Sequence, residues 1–104
     1  MRQAKIIIDG QVAGILTETE EGYFFSYDKT YLGAKNKKSV SLTLPPQEEP
    51  FKADILFPFF DGLIPEGWLL DIVQKNWKLD PRDRMGLLLA TCKDCIGNIS
   101  VIPL

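Results

Sequence analysis

With 104 residues, 45% of them hydrophobic and 25% charged, the chain has the composition of one globular domain spanning 1–104, with too little apolar surface for two cores. Its net charge of −2 and pI near 5.0 supply no overall attraction for a phosphate backbone, so direct nucleic-acid binding is not expected. Histidine is absent, which removes the commonest general base near neutral pH and the commonest metal ligand.

The N-terminus, MRQAKIIIDG, holds three consecutive strongly apolar residues, far short of a signal peptide or a membrane span, so a cytoplasmic location is expected, away from any membrane. Asp9-Gly10 lies between the apolar runs Ala4–Asp9 and Val12–Thr19, the turn signal of a short hairpin joining strands 1 and 2. Glu20-Glu21-Gly22 marks a second turn, and the aromatic run Tyr23–Asp28 (YFFSYD) a third strand,. Lys29–Lys38 (KTYLGAKNKK) follows neither period. Ser39–Leu44 (SVSLTL) alternates strictly, which predicts a fourth strand with Val40, Leu42 and Leu44 on one face. Pro45, Pro46 and Pro50 then impose a rigid surface loop, because proline lacks the donor a sheet ladder needs.

Beyond this loop the period lengthens. A short helical turn broken by Gly62 is expected within Ala53–Leu63, and Pro65 suits the first turn of a helix reaching about Trp77,. Asp80-Pro81-Arg82-Asp83 reads as a further helix start, with Asp80 as cap, Pro81 at the first position and Asp83 completing a capping box,. Met85, Leu88, Leu89 and Cys92 follow as one apolar stripe,. Cys95–Leu104 predicts a closing strand before Pro103. Strands first, helices next and a strand last indicate an α+β domain: a mostly antiparallel sheet or partly open barrel of about five strands, with two to three helices in the C-terminal half.

Candidate chemistry is sparse. Cys92-Lys93-Asp94-Cys95 lacks the further Cys or His ligands of a structural zinc site and lies at a helix end rather than a helix start, so packing is favoured over redox or metal chemistry. Lys35, Lys37 and Lys38 read as a solvated loop, and Glu18, Glu20 and Glu21 as the wet side of a turn,. Gly10 and Gly14 do not form a phosphate loop,. No cofactor or metal is expected.

The stretch FFDGLIPEGW (59–68) carries more information. At about 100° per residue from Trp68, Leu69, Val73, Trp77 and Leu70 fall between about 100° and 200°, which assigns Trp77 to the core. Trp68 itself lies about 150° from the centre of that stripe, beside Asp71, Ile72 and Lys75. Gly67, which costs up to about 1 kcal/mol against alanine in a helix interior, points to close approach or a special backbone angle there. Helical geometry divides Trp68 evenly between a contact with a partner, where an indole buries much apolar area, and folding back over the 45–58 loop.

The series YFFSYDKTYL, SVSLTLP, PFFDGLIPEGW and LLLATCKDCIGNISVIP resembles, in order and approximate spacing, the N-terminal subdomain of HipA-type serine/threonine kinases. The strongest segments are Phe59–Gly67 and Asp94-Cys95-Ile96-Gly97. Cys95 is the family-typical residue, whereas Cys92 stands where the family usually has a glycine, a departure at the helix end. The resemblance implies a non-enzyme, since the lysine, aspartate and metal ligands of a kinase belong to a larger body. It also implies similarity to the HipS antitoxins of HipBST-type toxin–antitoxin systems, which bind a HipT-like kinase toxin, with a HipB-like helix-turn-helix protein contacting the operator. A detached subdomain that completes or supports a catalytic partner is the alternative it leaves. A kinase partner favours Trp68 as a contact, with Pro65, Glu66, Gly67, Asp71, Ile72 and Asp61 as the expected partner-binding residues around it.

Overall fold

Asp9 and Gly10 adopt φ of 50° and 80°, left-handed at both central positions as a type I′ hairpin turn requires. They join β1 (Arg2–Ile8) to β2 (Gln11–Thr19), and Glu20-Glu21 joins β2 to β3 (Gly22–Tyr27). The computed structural model describes residues 1–35, 37–64, 82–91 and 98–104. After β3 come α1 (Lys29–Leu32), β4 (Phe51–Ala53), α2 (Pro58–Asp61), α3 (Arg84–Thr91) and β5 (Ile99–Pro103). The strands form one open antiparallel sheet in the order β4-β3-β2-β1-β5. This is the expected α+β domain with five strands, realised as an open sheet.

Period-2 alternation sends Ala4, Ile6 and Ile8 of β1, Leu16 of β2, Phe25 and Tyr27 of β3 and Val101 of β5 into the core,. Phe57, Phe60, Leu63, Ile64, Met85, Leu87 and Leu88 are also buried in it. Between Ile6 and Ile7 the β1–β2 register shifts, with Ile6 opposite Gly14 and Ile7 opposite Val12. Gly14 is obligatory at this bulge: a Cβ there would lie 2.3 Å from the Ser26 carbonyl oxygen and 2.9 Å from the Phe25 ring,. Pro103 is included in β5, opposite Ala4, which an edge strand tolerates because its outer side needs no donor.

Three expectations are corrected. Ser39–Leu44 is not a strand. Leu44 N–H donates to the Ser41 carbonyl at 3.1 Å and closes a turn, so Val40 and Leu44 are buried while Leu42 is 99% exposed. The physical reason is competition: the Ser41 hydroxyl accepts the Thr43 N–H at 3.2 Å, a local bond that favours a turn over a ladder. The place beside β3 goes instead to β4, whose Phe51 packs on Phe25 at 6.5 Å between ring centroids. Second, Lys29–Leu32 is helical, capped by the Asp28 carboxylate, which accepts the Tyr31 N–H at 3.2 Å,. One of the described helices therefore sits in the N-terminal half.

Third, α3 starts at Arg84 rather than just after Asp80. Asp83 itself is the cap, accepting the Gly86 N–H at 3.1 Å,. Met85 and Leu88 are buried and Leu89 half-buried as expected, and Leu87 is buried as well. Asp80, Pro81, Cys92, Cys95 and the helix expected from Pro65 to Trp77 lie outside the described residues. No described helix is long and apolar enough to cross a membrane.

Candidate partner-binding site

Of the expected partner-binding residues, Asp61 is described; Pro65, Glu66, Gly67, Trp68, Asp71 and Ile72 lie outside the described residues. The base of that stretch is well defined. Pro58 opens α2, where its missing N–H costs nothing, and the Gly62 N–H closes it on the Pro58 carbonyl at 2.9 Å. Phe60 turns into the core, 5.5 Å from the Phe25 ring, with Phe57 and Phe59 edge-on at 6.1 and 5.4 Å,. Leu63 and Ile64 are buried directly after it. The phenylalanines and Leu63 thus seat α2 on the core.

Asp61, the last residue of α2, accepts a hydrogen bond from Arg84 Nε at 2.5 Å. Its carboxylate holds the Arg84 guanidinium above its ordinary pKa. One residue earlier, Asp83 is gripped at both oxygens by Arg2, with Nη1 at 2.8 Å and Nη2 at 2.6 Å. Arg2 Nε donates to Glu18 at 2.7 Å, and the Tyr23 hydroxyl donates to the other Glu18 oxygen at 3.1 Å. The Arg2 hydrogen bonds, foremost, and the Gly86 N–H hold the Asp83 carboxyl below the usual carboxylate range, against a smaller upward push from burial,. Beside the Asp61–Arg84 pair lies a shallow cleft lined by Ile55, Leu56 and Pro58, with Ile55 72% exposed.

Other charged groups are accounted for by the fold. Lys38 pairs with Asp9 at 2.7 Å, and Lys37 donates to the Leu32 carbonyl at 2.9 Å; Lys35 is exposed. Glu18 is bound within the Arg2 network, while Glu20 and Glu21 are exposed on their turn. Among the described residues no group of His, Cys, Asp and Glu is placed to hold a metal ion, and no buried side-chain polar atom lacks a partner. Arg84, Arg2 and Asp83 were not visible as a constellation in the sequence, because Arg2 and Asp83 are 81 positions apart. The capping pattern before α3 was the one local signal.

The chain matches the family described as the HipA N-terminal domain over residues 4–102. A protein of Haemophilus influenzae described as uncharacterised is 33% identical over 101 residues, which span 97% of this chain and 92% of that protein. Y4mE of Sinorhizobium fredii, whose name proposes a kinase, is 29% identical over 96 residues, 91% of this chain and 23% of that protein. Among solved structures, the N-terminal domain of HipA toxin is similar with a TM-score of 0.77 at 32% identity, covering 100% of this chain and 93% of that one. With fold and sequence similar over nearly its whole length, the chain belongs to the HipA N-terminal domain family.

Proposed function

We propose that this protein is a HipS-type antitoxin of a bacterial type II toxin–antitoxin system, a cytoplasmic non-enzyme that binds and neutralises a HipT-like serine/threonine kinase toxin. The observation that carries this reading is the likeness to the N-terminal domain of HipA toxin across the whole chain. A domain that is one part of a toxin has a surface shaped for the rest of that toxin, and a separate copy of it is suited to occupy the same surface on a related kinase. The Haemophilus influenzae relative supports a separate existence for such a domain, since 92% of its length aligns with this chain.

In the proposed mechanism the stretch from Pro65, where the sequence predicts a helix, offers Trp68 to the kinase, with Glu66, Gly67, Asp71 and Ile72 around it. The indole obstructs substrate or holds the kinase lobes in an unproductive arrangement. Tryptophan concentrates binding energy because it buries a large rigid apolar surface, so removing such an anchor costs about 2–4 kcal/mol of affinity. A HipB-like helix-turn-helix protein joins through the complex and supplies the operator contacts. Co-expression tests the mechanism: wild type protects cells from the kinase, and Trp68→Ala gives substantially weaker protection. Equal protection by Trp68→Ala sinks the indole wedge.

A second reading has one specific support. In Y4mE the matching region is 23% of a longer protein whose name proposes a kinase, which favours a subdomain that completes or assists its catalytic partner. The sign of the effect on purified kinase separates the two: inhibition supports the antitoxin, and stimulation supports the completing subdomain.

A further inference from the structure

The seat of α2 on the sheet is apolar, Phe60 against Phe25, and apolar burial is non-directional, so it opposes separation without fixing rotation. The directional links lie elsewhere. Asp83 and Arg84 are consecutive, and each makes one of them: Asp83 to Arg2 of β1, itself tied to Glu18 of β2, and Arg84 to Asp61 at the end of α2. A chain of charge-assisted bonds therefore runs from the sheet through the cap of α3 to the last residue of α2. Asp61 and Arg84 are 23 positions apart in sequence, so their pair joins the two ends of the intervening stretch. Their side chains are 40% and 35% exposed, where an ion pair adds little to global stability. Its single charge-assisted Nε–Oδ1 bond instead links the end of α2 to the start of α3,.

We propose that Asp61 and Arg84 are positioning residues for kinase binding: their ion pair fixes the angle between α2 and α3, and with it the base that carries residues 62–83, while neither side chain touches the kinase. The inference rests on the reading of Trp68 as a kinase contact. It gives Asp61 a role through Arg84 in place of a direct contact with the partner.

The test is equilibrium binding of the full-length chain to a purified, catalytically inactive HipT-like kinase, at a temperature where thermal melts show every variant folded. Asp61→Asn and Arg84→Gln are each expected to weaken binding by about five- to tenfold, the size of coupling between interacting positions. The reversed pair Asp61→Arg/Arg84→Asp is expected to recover most of that loss. On a Trp68→Ala background Asp61→Asn is expected to weaken binding markedly less than it does in wild type, a non-additivity that general destabilisation does not produce. The proposal is overturned if wild-type binding survives both single substitutions. It is equally overturned if Asp61→Asn weakens binding while Arg84→Gln does not, which makes Asp61 a direct contact. If Trp68→Ala binds as tightly as wild type, the parent reading fails, and that result is independent of the Asp61 and Arg84 variants.

Discussion

Arg2 and Asp83, 81 positions apart, meet in a two-pronged ion pair that ties the first strand to the cap of α3. The Asp83 carboxyl is held below the usual carboxylate range, first by Arg2 and then by the Gly86 N–H. A depressed folded-state pKa means the unfolded chain binds the proton more tightly, so the contribution to stability is present at neutral pH. It declines as pH falls below about 4, the unfolded value, and is lost below the folded one. Urea unfolding of wild type and Asp83→Asn between pH 3 and 7 checks this. The stability gap between them is expected to be widest near neutrality and to narrow in acid; a gap independent of pH would show that the carboxylate charge contributes nothing.

A different anchor secures the loop after α1. The Tyr27 hydroxyl accepts the Val40 N–H at 2.9 Å and donates to the Leu44 carbonyl, while the Tyr31 hydroxyl accepts the Lys38 N–H at 2.7 Å and donates to its carbonyl at 2.8 Å. Tyr27→Phe keeps the ring, which stacks 6.2 Å from Tyr31, and strips two buried backbone groups of their partner. Unsatisfied buried groups cost about 1–3 kcal/mol, so a drop of that order in chemical denaturation is expected, with accelerated amide exchange at Val40. Unchanged exchange there would rule out the hydroxyl as the loop's anchor.

The same loop separates a turn from a strand experimentally. With Leu42 99% exposed and Leu44 3% exposed, Leu42→Ser is expected to change stability by no more than about 0.5 kcal/mol. Leu44→Ala is expected to cost about 2–5 kcal/mol. On a strand carrying both on one face the two substitutions would be comparably damaging, so paired thermal melts decide between the arrangements.

Legibility in the sequence followed the range of the interactions. Asp9-Gly10 identifies a hairpin because its left-handed backbone angles are a local matter,, and Met85 and Leu88 identify a helix face by spacing alone,. Val40, Leu42 and Leu44 alternate as a strand does, yet the outcome is set by Ser41 bonding two residues on and by tyrosines seven or more positions back. Strand β4 is three residues long behind Pro50, and its pairing depends on Phe25 rather than on any pattern of its own. At the candidate site Asp61 stood within a recognisable motif. Its partner Arg84 did not, since an ion pair across 23 positions leaves no periodic trace.

Gly86 offers the sharpest check on the α3 cap. In a helix interior Gly→Ala ordinarily stabilises by about 0.5–1 kcal/mol, because glycine loses more backbone entropy on folding. Here an added Cβ would lie 2.3 Å from Asp83 Oδ2 and 3.1 Å from Arg2 Nη1. The Asp83 side chain must move to admit it, and moving it weakens both the cap and the Arg2 grip; loss of a cap alone costs about 1 kcal/mol. Gly86→Ala is therefore expected to destabilise the wild-type protein. On an Asp83→Ala background the obstructing carboxylate is gone, and the same substitution is expected to become neutral or stabilising. Denaturation of the four proteins in this cycle reads the reversal of sign directly, and additive effects across the cycle would mean that Gly86 is not kept small by the Arg2–Asp83 pair.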